Sequence, residues 1–312
     1  MRILVTGVAG DIGNGIGRIL KGCDFVERLI GCDIHGEHMG RYIFDACEVV
    51  PRASASDYLE SLRLLKVKEG LDAIIVTSEP ELRFFADLAA KGVSSQLPLV
   101  MANQESMSIG FDKLKTAKFV AGLGCQAPWT KSVDEGDPEG YPCVLKNRFG
   151  AGNQGVYIVR SPELTDAYRA IFPDCIWQEY MPDDDNEYTC GVYGCADGDV
   201  RPIIFRRRLV SGVTGYAELV QSKAIESLCV TVAKALNLRG SINIQLRLSA
   251  RGPMIFEINP RFSSTVVFRH KLGFTDLLWS LQEQVLGVKT SYRLLHPLGT
   301  KIYRAFDEVI SP

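Results

Sequence analysis

Residues 241–259, SINIQLRLSARGPMIFEIN, confine this part of the chain to a β-hairpin. Ile242, Ile244, Leu246 and Leu248 recur at every second position, so an extended segment has one apolar face and presents Asn243 and Gln245 on the other. Residues 249–253 supply a turn, and 254–259 return with Met254, Phe256 and Ile258 on one face and Ile255, Glu257 and Asn259 on the opposite one. Pairing Leu248 with Met254 across the five-residue loop sets Gln245 opposite Glu257 and Asn243 opposite Asn259. Directly opposed residues hold their Cβ atoms about 4.5–5.5 Å apart, so the polar side chains share one crowded face.

A carboxylate and two carboxamides offer only oxygen ligands, which suits a hard cation held at about 2.0–2.1 Å. Gln245, Glu257 and Asn259 are therefore candidate ligands for Mg²⁺ or Mn²⁺ shared with nucleotide phosphates. Pro260 ends the strand, and Arg261 follows where a guanidinium can stabilise a transferring phosphoryl group. A solvated polar ladder is the plainer reading, but it leaves the placement of Gln245 to coincidence. The four histidines, at 35, 38, 270 and 296, show no metal spacing.

The first hundred residues carry a different pattern. Apolar strands at 2–6, 28–33, 71–77 and 97–101 alternate with helical stretches near 57–69 and 80–91, as a parallel sheet with crossovers requires. Gly7, Gly10 and Gly13 follow the first strand, and Asp33 ends the second, which fits a dinucleotide-binding fingerprint. A nicotinamide-dependent dehydrogenase or sugar-nucleotide epimerase is thus one reading. It lacks a general acid, since none of the eleven tyrosines has a lysine four residues on. A tight strand-to-helix turn accounts for the same glycines.

Beyond Asp112 the order changes to a helix at 112–123, paired strands within 141–160, a helix at 162–171, antiparallel candidates up to Asn259, helical spacing over 266–286 and a closing strand segment in 295–310. The chain reads as α/β followed by α+β. Residues 183–186, DDDN, read as a solvated turn. Between the strand that ends in Lys146 and its return strand at 156–159 lie nine residues, 147–155, with Gly150, Gly152 and Gly155. A hairpin needs only two to five. The surplus suggests a flap whose N–H groups point at phosphates, with Lys146 adding a point charge.

Lys and Arg number 35 against 37 Asp and Glu, so no basic field argues for nucleic acid or an anionic membrane. No apolar run approaches the roughly 20 residues of a membrane helix. Nine scattered cysteines without a C-x-x-C pair suggest reduced thiols in a cytoplasmic protein.

These residues together resemble the ATP-grasp superfamily, in the branch similar to the carbamoyl-phosphate synthase large subunit and biotin carboxylase. The resemblance runs over nearly the whole chain: the α/β start, Asp112-Lys113 opening a helix, Lys146 before the glycine flap, 178–181 as a hinge, Gln245 with Glu257-x-Asn259-x-Arg261, and the pairs Gly273-Phe274 and Leu286-Gly287. It implies a Rossmann-like pre-ATP-grasp domain over 1–108 and a two-lobed ATP-grasp domain over 109–312, with a flap lobe near 125–180 and a metal-binding lobe near 181–290. Lys113 and Lys146 would contact ATP phosphates or adenine, Glu179 with the backbone of Tyr180 and Met181 would hold adenine, and Glu187 the ribose. Arg261 would lie near the γ-phosphate and the acyl phosphate. The flap departs from the family pattern at Gln154, where a basic residue is common, and at Arg148, where proline is. Gly10, in the N-terminal loop, would present helix N–H groups to an anionic substrate.

The implied reaction has a carboxylate attack the γ-phosphorus of MgATP, giving an acyl phosphate and ADP, after which an amine or related nucleophile displaces phosphate. Arg206 and Arg208, with 211–215, form a candidate carboxylate clamp, although an exposed basic strand end reads equally well. A non-catalytic ATP-binding regulator is the third alternative. The expected partners are a small-molecule carboxylate and amine and a second copy of the chain, with neither nucleic acid nor membrane.

Overall fold

The computed structural model describes residues 1–150, 155–182, 186–305 and 310. Strands β1 (Arg2–Thr6), β2 (Arg28–Asp33), β3 (Ala46–Val49), β4 (Ala73–Ile75) and β5 (Leu99–Val100) form a sheet of order β3-β2-β1-β4-β5 in which every pair is parallel. The crossovers include α1 (Asp11–Lys21), α2 (Tyr58–Glu69) and α3 (Glu79–Ala90). Ile3 and Val5 pack with Ile16 and Leu20 of α1, while Leu4 between them packs with Leu62 of α2 and Leu82 and Phe85 of α3. Both faces of the sheet are covered, which is why its strands read as continuous apolar runs. Because β1 lies between β2 and β4, the loops after β1 and β4 part and leave a crevice at the strand ends.

Helices α4 (Gln104–Gly110) and α5 (Lys113–Gly122) lead to a four-stranded antiparallel sheet made of β6 (Thr130–Ser132), β7 (Cys143–Asn147), β8 (Tyr157–Val159) and β9 (Cys175–Glu179), in the order β6-β9-β7-β8. Helix α6 (Thr165–Ile171) connects β8 to β9. The hairpin β7–β8 encloses the glycine-rich segment, of which 151–154 lie outside the described residues, as do 183–185 of the acidic run.

A six-stranded antiparallel sheet follows, built from β10 (Glu187–Gly194), β11 (Val200–Val210), β12 (Val213–Val220), β13 (Gly240–Ser249), β14 (Gly252–Asn259) and the short β15 (Lys301–Tyr303), in the order β14-β13-β10-β11-β12-β15. Helix α7 (Lys223–Ala235) covers one face through Ile225, Cys229 and Val232 against Ile242, Ile244, Leu246 and Ile258. The other face is partly covered by α8 (Val266–Lys271) and α9 (Asp276–Gln284), where Phe268, Phe274 and Trp279 meet Tyr193 and Phe205. The remainder of that face stays open toward the flap sheet.

The hairpin register matches expectation where it matters and departs from it next door. Gln245 pairs with Glu257 and Asn243 with Asn259, but a bulge after Gln245 sets Leu246 opposite Ile255 and Leu248 opposite Pro253 rather than Met254. One extra residue, Phe256, is accommodated there, so Ile255 turns into the α7 core beside Ile258, and Phe256 moves to the open face. Strict alternation placed these two residues the other way round. Leu248, expected in the core, is 38% exposed.

Candidate functional site

Two cavities meet on the open face of the six-stranded sheet. One, of about 510 Å³, lies between the two antiparallel sheets and is lined by Lys113, Lys146, Gln178, Glu179, Met181 and Glu187, with Phe256 on its floor. The other, of about 740 Å³, lies toward the parallel sheet and is lined by Gly10, Thr77, Ser78, Arg83, Asn259 and Arg261. Gly150, Arg207, Gln245 and Glu257 border both cavities.

Glu257 is the centre of this junction. Among the described residues it accepts no hydrogen bond, and its nearest cation is Lys113 Nζ at 3.9 Å. Among the described residues Asn259 Oδ1 has only a long contact, from Arg261 Nη2 at 3.3 Å. Gln245 Oε1 accepts from Arg207 Nη2 at 2.8 Å, which leaves one lone pair. An uncommitted carboxylate flanked in register by two amide oxygens fits a hard divalent cation, and no group of three His, Cys, Asp or Glu among the described residues offers another metal a site.

Lys146, next to last in β7, lies at the back of the nucleotide-sized cavity, and among the described residues its ammonium has one long bond, to the Phe256 carbonyl at 3.4 Å. It also sits 5.6 Å from the Phe256 ring centroid. Burial pushes its pKa down to about 8; Glu257 opposes this, while Lys113 and Arg247 reinforce it. Lys113 Nζ donates to the Gly150 carbonyl at 2.5 Å, so one lysine reaches the cavity from the start of α5 and the other from β7.

The flap is tethered at its base. Arg148 clasps Asp112 with two bonds, of 2.9 and 2.7 Å, and its carbonyl accepts from Lys113 N at 3.1 Å. Asp112 also caps α5 by accepting from the Leu114 and Lys115 N–H groups. Burial alone would raise its pKa, but Arg148 and these N–H groups hold the carboxyl below the usual range. The arginine in place of a flap proline thus has a structural partner. Gly150 and Gly155 both take left-handed backbone, with φ of +91° and +75°; Gly152 lies outside the described residues.

The other expected site residues divide. Glu179 lines the nucleotide-sized cavity, yet its carboxylate is already engaged by Arg251 and by Trp129 N. Met181 lines that cavity as well, whereas Tyr180 borders a separate cleft beyond the hinge. Glu187 is clasped by Arg207 at 2.7 and 3.0 Å and by Arg247 at 2.8 Å. Burial works to raise its pKa, but the two guanidiniums hold it below the ordinary value. Burial lowers the Arg261 pKa, against Glu257 and Glu79.

The arginine run 206–208, expected as a carboxylate clamp, divides by exposure. Arg206 and Arg208 point to solvent, with Arg206 paired to Glu218 at 2.6 Å and Arg208 lying over the Tyr216 ring. Arg207 between them is buried and faces the cavities. Period two along β11 carries the signal, because Ile203 and Phe205 face the α8 side and Arg207 continues that face. Arg247 and Phe256, also on the cavity wall, were not singled out from the sequence.

The glycine turn supports the packing interpretation of the N-terminal motif. Gly7 has φ +62°, and a Cβ on Gly13 would come within 2.5 Å of the Gly7 carbonyl oxygen. Asp33, which would hold a dinucleotide ribose, accepts instead from Ala9 N at 2.9 Å and His35 N at 3.1 Å. Gly10 N-caps α1 at the edge of the larger cavity.

A glycine-bearing hairpin over a strand lysine faces an antiparallel sheet that presents Gln, Glu and Asn together, and this half of the chain is similar to an ATP-grasp family model. A family model described as ATP-grasp in the biosynthetic pathway with Ter operon matches residues 171–299. The carbamoyl phosphate synthase large chain of Thermomicrobium roseum is 25% identical over 242 residues, covering 70% of this chain and 21% of that one. The chain thus spans about a fifth of the length of that relative. In fold it is similar to N5-carboxyaminoimidazole ribonucleotide synthetase from Thermus thermophilus (TM-score 0.70, 20% identity, 93% of this chain and 79% of that one). It is likewise similar to the biotin carboxylase domain of Hydrogenobacter thermophilus 2-oxoglutarate carboxylase, solved with MgADP and bicarbonate (TM-score 0.70, 16% identity, 94% and 71%). No helix among the described residues is long and apolar enough to cross a membrane.

Proposed function

We propose that the protein is an ATP-dependent, ADP-forming ligase that activates a substrate carboxylate as an acyl phosphate and transfers it to an amine or related nucleophile. The observation that carries this reading is the junction of the two cavities at Glu257, Gln245 and Arg207. A nucleotide in the smaller cavity would meet a second molecule in the larger one at a single point. The relatives' names, a carbamoyl phosphate synthase and a carboxyaminoimidazole ribonucleotide synthetase, support it by analogy.

In this reading residues 1–108 are the pre-ATP-grasp domain and 109–312 the ATP-grasp domain, with a flap lobe near 125–180 and a metal-binding lobe near 181–290. Glu179, with the backbone of Tyr180 and Met181, borders adenine, and Glu187 the ribose. Lys113, Lys146 and the flap glycines Gly150, Gly152 and Gly155 contact the phosphates. Gln245, Glu257 and Asn259 would hold Mg²⁺ or Mn²⁺, which when bound neutralises phosphate charge. Arg207 takes over the role first given to Arg206 and Arg208 and orients the substrate carboxylate. Its oxygen attacks the γ-phosphorus, the bond to the β,γ-bridging oxygen breaks, and ADP leaves. Arg261 stabilises the charge on the transferring group. The amine then adds to the acyl carbon, phosphate departs and the amine proton passes to solvent. Closure of the flap keeps water from the acyl phosphate. The N-terminal turn at Gly10 receives part of the second substrate. A cytoplasmic location and a homodimer belong to the same proposal.

The test is ADP release, coupled to a spectrophotometric readout, against pooled carboxylates and amines with and without Mg²⁺. Stimulation by a carboxylate, lost in Glu257→Ala, is the expected result. Carboxylate-independent binding of MgATP without ADP would instead mark a non-catalytic regulator.

A further inference from the structure

The larger cavity does not end at the N-terminal turn. It shares Gly7, Ser78, Pro80 and Arg83 with a third cavity, of about 640 Å³, that opens where β1, β2, β3 and β4 all finish. That position is the crevice at the carboxyl ends of a parallel sheet, beside the point where strand order reverses. The two buried acids in its wall are already committed. Asp33 accepts two backbone N–H groups, and Glu81 accepts from Thr6 Oγ1, Tyr58 OH and Ser78 Oγ at 2.7, 2.7 and 2.5 Å. Arg83 is held by Glu79 and by the Phe111 carbonyl. What remains is mainly apolar, from Ile34, Val50, Pro51, Ala53 and Phe84, and the polar His35, Arg52, Ser54 and Asp87 that complete the lining are solvent-exposed. Ile34, on the rim, is 38% exposed.

We infer that this side cavity receives an apolar arm, aromatic or branched aliphatic, of the amine acceptor, whose nucleophilic nitrogen lies in the adjoining cavity near Arg261. The inference rests on the ligase reading and adds a substrate class to it. Ammonia or another acceptor of a few atoms would leave the side cavity unused. An acceptor with a large side chain gains the burial of that chain against Phe84 without any new charge pairing, since every acid deep in the wall is internally bonded.

The probes are glycinamide, leucinamide and phenylalaninamide, titrated by calorimetry into the full-length protein in the presence of MgADP, with MgADP affinity measured separately. Phenylalaninamide and leucinamide are expected to bind at least about tenfold more tightly than glycinamide. Ala53→Trp, which fills the cavity, and Ile34→Lys, which places a charge on its rim at an exposed position, should each abolish that preference while MgADP affinity stays within about twofold. Equal binding of the three amides, no binding of any of them, or a preference that survives both variants overturns the inference. Loss of MgADP binding in the unaltered protein overturns the ligase reading instead, and the amide preference measured without nucleotide then decides the side cavity by itself.

Discussion

Lys146 is the residue whose chemistry depends most on what surrounds it. Its ammonium is buried against Phe256 and disfavoured enough that its pKa falls to about 8. In the proposed role bound phosphates would favour the charged form, so nucleotide binding would draw a proton to this lysine when the pH exceeds that value. MgADP affinity is therefore expected to be flat below pH 8 and to weaken by up to about tenfold per unit above it. Calorimetry from pH 6.5 to 9.5 measures this, and Lys146→Met should give a weaker but level profile. A level profile in the unaltered protein would contradict it. The planar fork of Arg207 reaches Glu187 and Gln245 together. Arg207→Lys keeps the charge but not the fork. We expect the KM for the carboxylate to rise at least about tenfold, with MgADP affinity changed less than about threefold; a reversed pattern would place Arg207 on the nucleotide side alone.

Elements carry the site because their ends are tied, and the clearest tie is at the base of the flap. Asp112 serves both as the cap of α5 and as the partner of Arg148, so the first turn of that helix and the last residues of β7 move together. Arg148→Ala leaves a buried carboxylate with its backbone partners only, and should cost about 1–3 kcal/mol. Hydrogen exchange at the amides of 113–115 should quicken at least about tenfold while α7 is unaffected. Since the Asp112 carboxyl is held below its ordinary pKa, the contribution of the pair is complete above about pH 4 and disappears as the pH falls through the depressed value. At this scale the sequence was informative wherever a period was regular. The polar register of β13 and β14 was legible because 241–245 alternates without interruption. Phe256 was not, because a bulge is set by three-dimensional packing against α7 and has no mark in a run of apolar letters. Arg207 was hidden for another reason: three successive arginines conceal which one faces inward until Ile203 and Phe205 are used to assign the face. The shortness of β4 and β5, against the longer apolar runs at 71–77 and 97–101, likewise reflects where neighbouring strands stop pairing.

At the scale of the molecule, the proposed reaction would need the three sheets to keep one relative placement, and a single side chain, Arg304, links several of the parts. Arg304 reaches Asp11 at the start of α1 at 2.6 Å, the Thr214 carbonyl on β12 at 3.0 Å, and the Ser264 carbonyl between β14 and α8 at 2.5 Å. It is also stacked 5.1 Å from the Phe268 ring centroid. These contacts surround the larger cavity, to which Asp11 and Ser264 contribute, and none lies on the nucleotide-sized one. Arg304→Ala removes the charge partner of a carboxylate that burial already disfavours as an anion, so the Asp11 pKa should climb further above its ordinary value. Stability should fall by about 1–3 kcal/mol in a denaturant titration. More tellingly, the acceptor KM should rise at least about fivefold while MgADP affinity changes less than about twofold. Equal losses on both sides would show that Arg304 supports the fold as a whole, whereas a loss confined to the acceptor would show that the placement of the parallel sheet against the six-stranded one sets the geometry of the second substrate.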